Sequence, residues 1–288
     1  MKIVIYGASG FIGSYVVNAL KGHELVVPLR NLEKKERPFK QLESIKFTSF
    51  NQKRPGNTIL EEKPDVVINL IGILREDIDN GITFENVHFQ LSKDLIDVSK
   101  EASILKFIQM SALGADLNAR SIYLKTKAMA EEYLISSGLN YIIFRPSIVM
   151  GREQRLFNDL KKYSKIAPFF LAPIDAKVQP VHVLDVAESF KKAVEDDGIK
   201  NQIFELCGNR VINFKELFEF GLLYTDVNRI VVGVPKKLFL PLLPFFYILP
   251  EPVMTVDQYY MMDKDNVCSK KMKGIKDLLG KVRDAFMI

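Results

Sequence analysis

The chain has 288 residues, of which 48% are hydrophobic and 26% charged, a balance that suits one large α/β domain or a main domain with a smaller appendage. The formal charge of +5 is spread along the sequence, and no block of like charge marks a nucleic-acid surface, so no nucleic-acid partner is expected. A run of about 18 apolar residues is absent, which excludes a spanning helix from the expectations.

The first strand is read from the apolar run Met1 to Tyr6. Gly7-Ala8-Ser9-Gly10-Phe11-Ile12-Gly13 follows, and apolar residues then recur at helical spacing to Leu20, with Gly22 as the stop. Strand, glycine turn and helix form the arrangement that binds the pyrophosphate of a dinucleotide. The glycines let the backbone approach the phosphates, and the helix start presents free N–H groups and a positive dipole end. A phosphate-loop reading needs a lysine after the last glycine, and Ser14 stands there. With a strand beginning at residue 2, no signal peptide is expected, and the protein is placed in the cytoplasm, peripheral at the inner face of the membrane.

The second strand is Leu25 to Leu29, ending at Arg30, and the charged stretch Glu33 to Arg37 follows. Ile45 to Phe50 alternates as a third strand and closes at Asn51. Asp65 to Gly72 is nearly continuously apolar, as in a strand buried on both faces of a parallel sheet. A helix is predicted over Phe84 to Lys100 with its apolar stripe at Val87, Leu91, Leu95 and Val98. Leu105 to Met110 is a strand ending at Ser111, Ser121 to Ser136 a helix, and Tyr141 to Val149 a strand interrupted by Arg145-Pro146-Ser147. This alternation predicts a doubly wound, Rossmann-type parallel sheet over residues 1–150, with ligands at the edge where the strands end. Residues 151–288 are expected to form a smaller mixed region for substrate or partner, interleaved with the first. Helices there are read at Glu153 to Tyr163 and Val183 to Val194, a short strand over Gln179 to Ala187 running into the second helix, another strand at Ile203 to Cys207, and an amphipathic pattern from Ile275 to Phe286. Leu238 to Pro250 is apolar at every non-proline position, too short to span a membrane, and preceded by Lys236 and Lys237. It is read as a docking surface for a membrane or an apolar partner, with burial as core as the alternative. Cys207 and Cys268 show neither metal spacing nor a disulfide framework, which predicts a reducing compartment and a Cys207 that is simply buried. His182 has no second His or Cys at ligand spacing, so no metal site is expected.

Tyr123-x-x-x-Lys127 places a phenol and an ammonium one turn apart on a helix face. A lysine beside a phenol lowers its pKa from about 10 and suits it to exchange a proton with a carbonyl or alcohol. Tyr260 and Lys264 match the same pattern, but they lie in the distal part of the chain and are read as structural.

Gly7-x-x-Gly10-x-x-Gly13, Tyr123-x-x-x-Lys127 and Arg145-Pro146-Ser147, in this order, resemble the extended short-chain dehydrogenases/reductases. Val67 to Gly72, Ser111 to Asp116, Gln179 to Val183, Thr255 to Gln258 and Asp265 to Val267 narrow the resemblance to an atypical group. That group includes the NADPH-binding accessory subunit of respiratory complex I and its bacterial relatives. The resemblance implies cofactor contacts from Gly7, Ser9, Gly10, Phe11, Ile12, Gly13, Arg30, Asn51, Leu70, Ile71, Gly72, Tyr123, Lys127 and Pro146. In active relatives a serine or threonine such as Ser111 shares the substrate carbonyl with the tyrosine across a long loop. Here Ser111 precedes Tyr123 by only 12 residues, so Ser111 either touches cofactor or ends its strand, and Ser121 reads as a helix cap.

Three functions are carried forward. The first is a dinucleotide-binding accessory or assembly protein linked to NADH:quinone oxidoreductase or quinone metabolism, which the short loop favours. The second is a reductase of a quinone-like or small carbonyl substrate using Ser111, Tyr123 and Lys127. A sugar-nucleotide epimerase or dehydratase is the third. The expected cofactor is NADP(H), because Arg30 stands where an NAD site places an acid, with Lys34 or Lys35 beside it. NAD(H) remains the alternative because of Glu33.

Overall fold

The computed structural model describes residues 1–32, 45–246 and 254–288. Seven strands form the central sheet: β1 (Lys2–Tyr6), β2 (Glu24–Leu29), β3 (Ile45–Ser49), β4 (Val66–Asn69), β5 (Lys106–Met110), β6 (Tyr141–Pro146) and β7 (Gln202–Leu206). Their spatial order is β7-β6-β5-β4-β1-β2-β3, and every neighbouring pair is parallel. The order reverses between β1 and β4, which opens a crevice beyond their carboxyl ends, the place where such sheets hold ligands.

Alternation along β1 sends its side chains to two apolar layers. Ile3 and Ile5 pack with Val16 and Val17 of α1 (Phe11–Ala19) and with Val186 and Phe190 of α6 (Val183–Glu195). Val4 and Tyr6 pack on the other side with Leu95 and Ile96 of α3 (Leu91–Glu101) and Leu134 of α4 (Ile122–Ser136). Lys106 of β5 enters the layer of α1 and α6, and its Nζ donates to the carbonyls of Ala193 and Asp196 at the end of α6, at 2.7 and 3.1 Å. A buried ammonium there satisfies carbonyls that the helix leaves open and sits at the negative end of its dipole.

The helix expected from Phe84 to Lys100 begins with a π-helical stretch, Glu85–Gln90, before α3. The wider turn advances the inward face. Phe84, His88, Ser92, Leu95, Ile96 and Ser99 are the buried positions, while Val87, Leu91 and Val98 of the expected stripe are half-buried. The sixth strand also ends earlier than expected, because the chain leaves the sheet after Pro146 and Val149–Met150 pairs instead with Val181–His182.

Beyond residue 151 the chain builds small pairs around α5 (Arg155–Tyr163) and α7 (Phe214–Tyr224), and returns to the main sheet through α6 and β7. The tail helix stops at Leu279, where Gly280 turns left-handed, yet Ile275, Leu278 and Val282 still face the main core and Phe286 packs on Phe220. Arg283 binds the fully buried Asp185 and also Glu188, anchoring the tail to α6. His182 caps α6 and contacts the Met287 carbonyl, a structural role.

The two cysteines are joined as a Cys207–Cys268 disulfide, at a sequence separation of 61. This corrects the expectation of unpaired thiols and removes the ground for a reducing compartment. The pairing depends on the C-terminal segment folding back beside the end of β7, which no local spacing encodes. In the apolar run, Phe239 and Leu243 are buried with Tyr259, whereas Leu238 and Leu240 are 48% and 50% exposed. Residues 247–250 and the side chain of Phe245 lie outside the described residues. No helix among the described residues is long and apolar enough to cross a membrane.

Candidate functional site

The loop after β1 is shaped by its glycines. Gly7 has φ +81°, and a Cβ there would stand 2.9 Å from the Leu70 carbonyl carbon. A Cβ on Gly13 would lie 2.3 Å from the Gly7 oxygen. The Gly10 N–H donates to the Gly7 carbonyl at 3.0 Å and closes the turn. Gly10 precedes α1 in an extended conformation and supplies no capping side chain, so the first-turn amides of α1 face outward unclaimed by one. This cradle, closed to a Cβ at Gly7 and Gly13, fits a pyrophosphate. Ser9 is exposed at its rim, Ile12 is half-buried, and the Phe11 ring packs at Gly151, where a Cβ would approach it to 2.8 Å.

Arg30 is exposed just after β2 and makes no hydrogen bond or ion pair with the described residues. Glu33, Lys34 and Lys35, invoked for the choice of cofactor, lie outside those residues. Asn51 spends its carboxamide oxygen on the N–H groups of Lys53 and Arg54, so its local role is a turn. Leu70, Ile71 and Gly72 follow β4 directly. The buried Asn69 fixes them by accepting from the Ile71 N–H while donating to Ser92 and Gln109. Pro146 is half-buried at the end of β6, beside Arg145, whose guanidinium pairs with the buried Glu131 of α4.

Tyr123 lies in the first turn of α4, with its ring edge-on to Phe84 and His88 at 5.7 and 5.0 Å. Lys127 is buried one turn on, but its Nζ donates to the carbonyls of Ile71 and Met110 at 3.4 and 3.3 Å and not to the phenol. Burial pulls Lys127 down to about 8. Burial first, and the Asp257 carboxylate second, push the Tyr123 phenol up to about 12. The expectation of a phenol lowered by its lysine is therefore corrected for the protein alone: the carbonyls at the ends of β4 and β5 hold the ammonium, and the aromatic wall desolvates the phenol. Ser111, at the end of β5, is buried and its hydroxyl has no hydrogen-bond partner among the described residues. That orphaned donor also fits an absent ligand group in the crevice.

Sequence reasoning missed His88. It is 1% exposed, stacks on Phe84, contacts Thr126 and accepts the Ile73 N–H at 3.1 Å. Burial first, then the Lys127 charge, press it down to about 2, so it is neutral. Its position four residues after Phe84 was the available signal, hidden because the π turn shifts the inward face.

The short stretch from Ser111 to Tyr123 is covered by the C-terminal segment. Asn266 accepts from Ser147 Oγ at 2.6 Å and donates to the Leu113 carbonyl at 3.1 Å. Gln179 bridges the Gly208 carbonyl and the Cys268 N–H. Lys264 pairs with Asp116, and Arg120 stacks 4.0 Å from the Tyr260 ring, so the second Tyr-x-x-x-Lys match is structural. A cavity of about 220 Å³ remains between these segments, lined in part by Leu113, Leu124, Tyr260 and Asn266.

The NAD dependent epimerase/dehydratase family matches residues 3–207. The chain is 31% identical to the Arabidopsis thaliana mitochondrial NADH dehydrogenase [ubiquinone] 1 alpha subcomplex subunit 9, over 95% of this chain and 72% of that one. It is 30% identical to the Mus musculus subunit of the same name, over 95% and 74%. A nucleoside-diphosphate-sugar epimerase from Staphylococcus aureus has the same fold, with a TM-score of 0.72 at 17% identity, over 99% of this chain and 98% of that one. A nicotinamide dinucleotide is the cofactor class that these matches support. The chain belongs to the NAD dependent epimerase/dehydratase family, as an atypical extended short-chain dehydrogenase/reductase related to subunit 9 of the NADH dehydrogenase 1 alpha subcomplex.

Proposed function

We propose that the protein holds NADP(H) as a structural or regulatory ligand and acts as an accessory or assembly factor for an NADH:quinone oxidoreductase. The observation that carries this reading is the contrast within one crevice. The glycine cradle is complete, whereas the Lys127 ammonium is held by Ile71 and Met110 and the phenol is raised. The relationship to subunit 9 of the alpha subcomplex supplies the partner class. When bound, the nicotinamide would supply hydride-transfer chemistry. Gly7, Gly10 and Gly13 would cradle the pyrophosphate, Arg30 the 2′-phosphate, and Ile71, Gly72 and Pro146 would border the ring end. Ser9, Phe11, Ile12, Leu70 and Asn51 would complete the walls, with Tyr123 and Lys127 at the nicotinamide ribose.

Titration of the protein with NADPH and with NADH tests the cofactor. NADPH should bind more tightly, and Arg30→Ala should lower its affinity by about tenfold, the worth of one charge-assisted contact. Equal affinities, or an Arg30→Ala variant that binds NADPH as the wild type does, would contradict it.

The second reading is a reductase of a quinone-like or small carbonyl compound. The orphaned Ser111 hydroxyl on the same edge as Tyr123 favours it. Tyr123→Phe should then abolish turnover and leave NADPH affinity intact, because the phenol's proton is used only in the transition state. For the partner face we assign the exposed Leu238 and Leu240, next to Lys236 and Lys237, to contact with a membrane surface or an apolar partner, while Phe239 and Leu243 serve the core.

A further inference from the structure

The first turn of α4 is held by a residue that arrives from far along the chain. Asp257 accepts from the Ile122 N–H at 2.5 Å, from the Tyr123 N–H at 3.4 Å and from Ser121 Oγ at 2.8 Å. Ser121 in turn accepts from the Leu124 N–H, as an ordinary cap does. The helix start is thus capped twice, once by a neutral hydroxyl and once by a carboxylate, and only the second brings charge. Asp257 is itself fixed. It lies in the first turn of the helix Val256–Met261, which a reciprocal Thr255–Gln258 pair caps, and Tyr259 anchors that helix beside Phe239 and Leu243.

The capped turn is the one that carries the phenol. We propose that Asp257 is a positioning residue for Tyr123: it fixes the first turn of α4 against Phe84 and His88 and sets a negative charge beside the turn that carries the phenol, so that Tyr123 meets a carbonyl or ribose hydroxyl as a hydrogen-bond donor and not as a base. The proposal rests on the reading above that Tyr123 faces the dinucleotide. Besides Phe84, three titratable groups lie around Tyr123. His88 packs on it and is neutral, Lys127 is one turn away and engaged by two carbonyls, and Asp257 is the anion. A phenolate beside a carboxylate in a desolvated wall is disfavoured on both counts.

The test is a fluorine NMR titration of the full chain carrying Tyr123→3-fluorotyrosine, whose phenol ionises within a milder pH range. Asp257→Asn and Asp257→Ser remove the charge and keep an acceptor for the helix amides, and either can carry the test if the other does not fold. The fluorophenol should ionise about half a pH unit lower, or more, in these variants, as expected for the loss of one nearby charge. Ser121→Ala removes the neutral cap and keeps the charge, so it should lower the melting temperature and leave the ionisation in place. Asp257→Glu should titrate as the parent does. No shift in the charge-free variants, or an equal shift in Ser121→Ala, overturns the proposal. Addition of NADPH to the same samples separates the two readings. A fluorine resonance that responds to Asp257→Asn but not to NADPH supports the role of Asp257 and contradicts the placing of Tyr123 at the dinucleotide.

Discussion

The glycine loop after β1 and the tyrosine helix after β5 stand on the same edge of one sheet, and they are built by opposite means. The loop is local. Its shape follows from Gly7, Gly10 and Gly13 and from the carbonyls of Leu70 and Gly7 that leave no space for a Cβ. The helix start is assembled from a distance, by Asp257 on its amides, Asn266 across Ser147 and Leu113, and the Cys207–Cys268 bond beyond. A phosphate cradle needs only backbone approach and free amides, which a short motif can specify. Control of a phenol's ionisation needs charges and burial, which come from whatever segments pack there.

Damage to the loop should be the more severe for binding. Gly13→Val should abolish NADPH binding in a calorimetric titration and destabilise the fold by about 1–3 kcal/mol, because the new side chain meets backbone that has no room to move. Near-normal affinity would show that the pyrophosphate binds elsewhere. Damage to the distal segment should cost stability with little loss of affinity. Cys207→Ser is expected to lower the unfolding free energy by about 2–4 kcal/mol in chemical denaturation. The untreated protein should not react with a thiol reagent before reduction, and two reactive thiols would contradict the pairing.

The wall between the regions has its own signature. The pKa of His88 is depressed in the folded state, so the folded form binds fewer protons than the unfolded one as the pH falls below 6.5 toward about 2. Its contribution to stability is therefore present above 6.5 and is lost on acidification, by about 1.4 kcal/mol per pH unit. His88→Gln should flatten the stability profile between pH 6 and 5, and an unchanged slope would argue against burial of the neutral ring. The smallest effect on stability is expected at the apolar run. Leu238→Ser with Leu240→Ser should alter stability by no more than about 0.5 kcal/mol, since both side chains are half-exposed. The same double variant should lose binding to anionic vesicles in flotation if that face docks, and binding that survives would remove it from the interface.

The parallel sheet was legible because β1, β4 and β5 are short apolar runs, and their order follows from alternation with helices. The glycine spacing pointed to the cradle for the same local reason. His88 was not legible, because its inward position depends on a π turn that the periodicity of an ordinary helix does not predict. The Cys207–Cys268 pairing was misread because it depends on the path of the last 35 residues. The ionisation of Tyr123 was misjudged for a related reason. A lysine four residues away on a helix is near in space, but its Nζ was already claimed by Ile71 and Met110 from two strand ends. Conversely, three of the stretches that suggested an atypical member, Ser111 to Asp116, Gln179 to Val183 and Asp265 to Val267, are joined with Ser147 by Asn266 and Gln179 into one hydrogen-bonded seam, which gives that resemblance a physical basis.

The central claim is that this crevice binds NADP(H) without using Tyr123 and Lys127 for turnover. The most direct measurement is the absorbance of the reduced nicotinamide in a stoichiometric protein–NADPH complex after addition of short-chain quinones and small carbonyl compounds. A tight complex whose nicotinamide stays reduced is expected, with no difference between the wild type and Tyr123→Phe. Rapid oxidation of the bound NADPH that disappears in Tyr123→Phe would contradict it and establish the protein as a reductase.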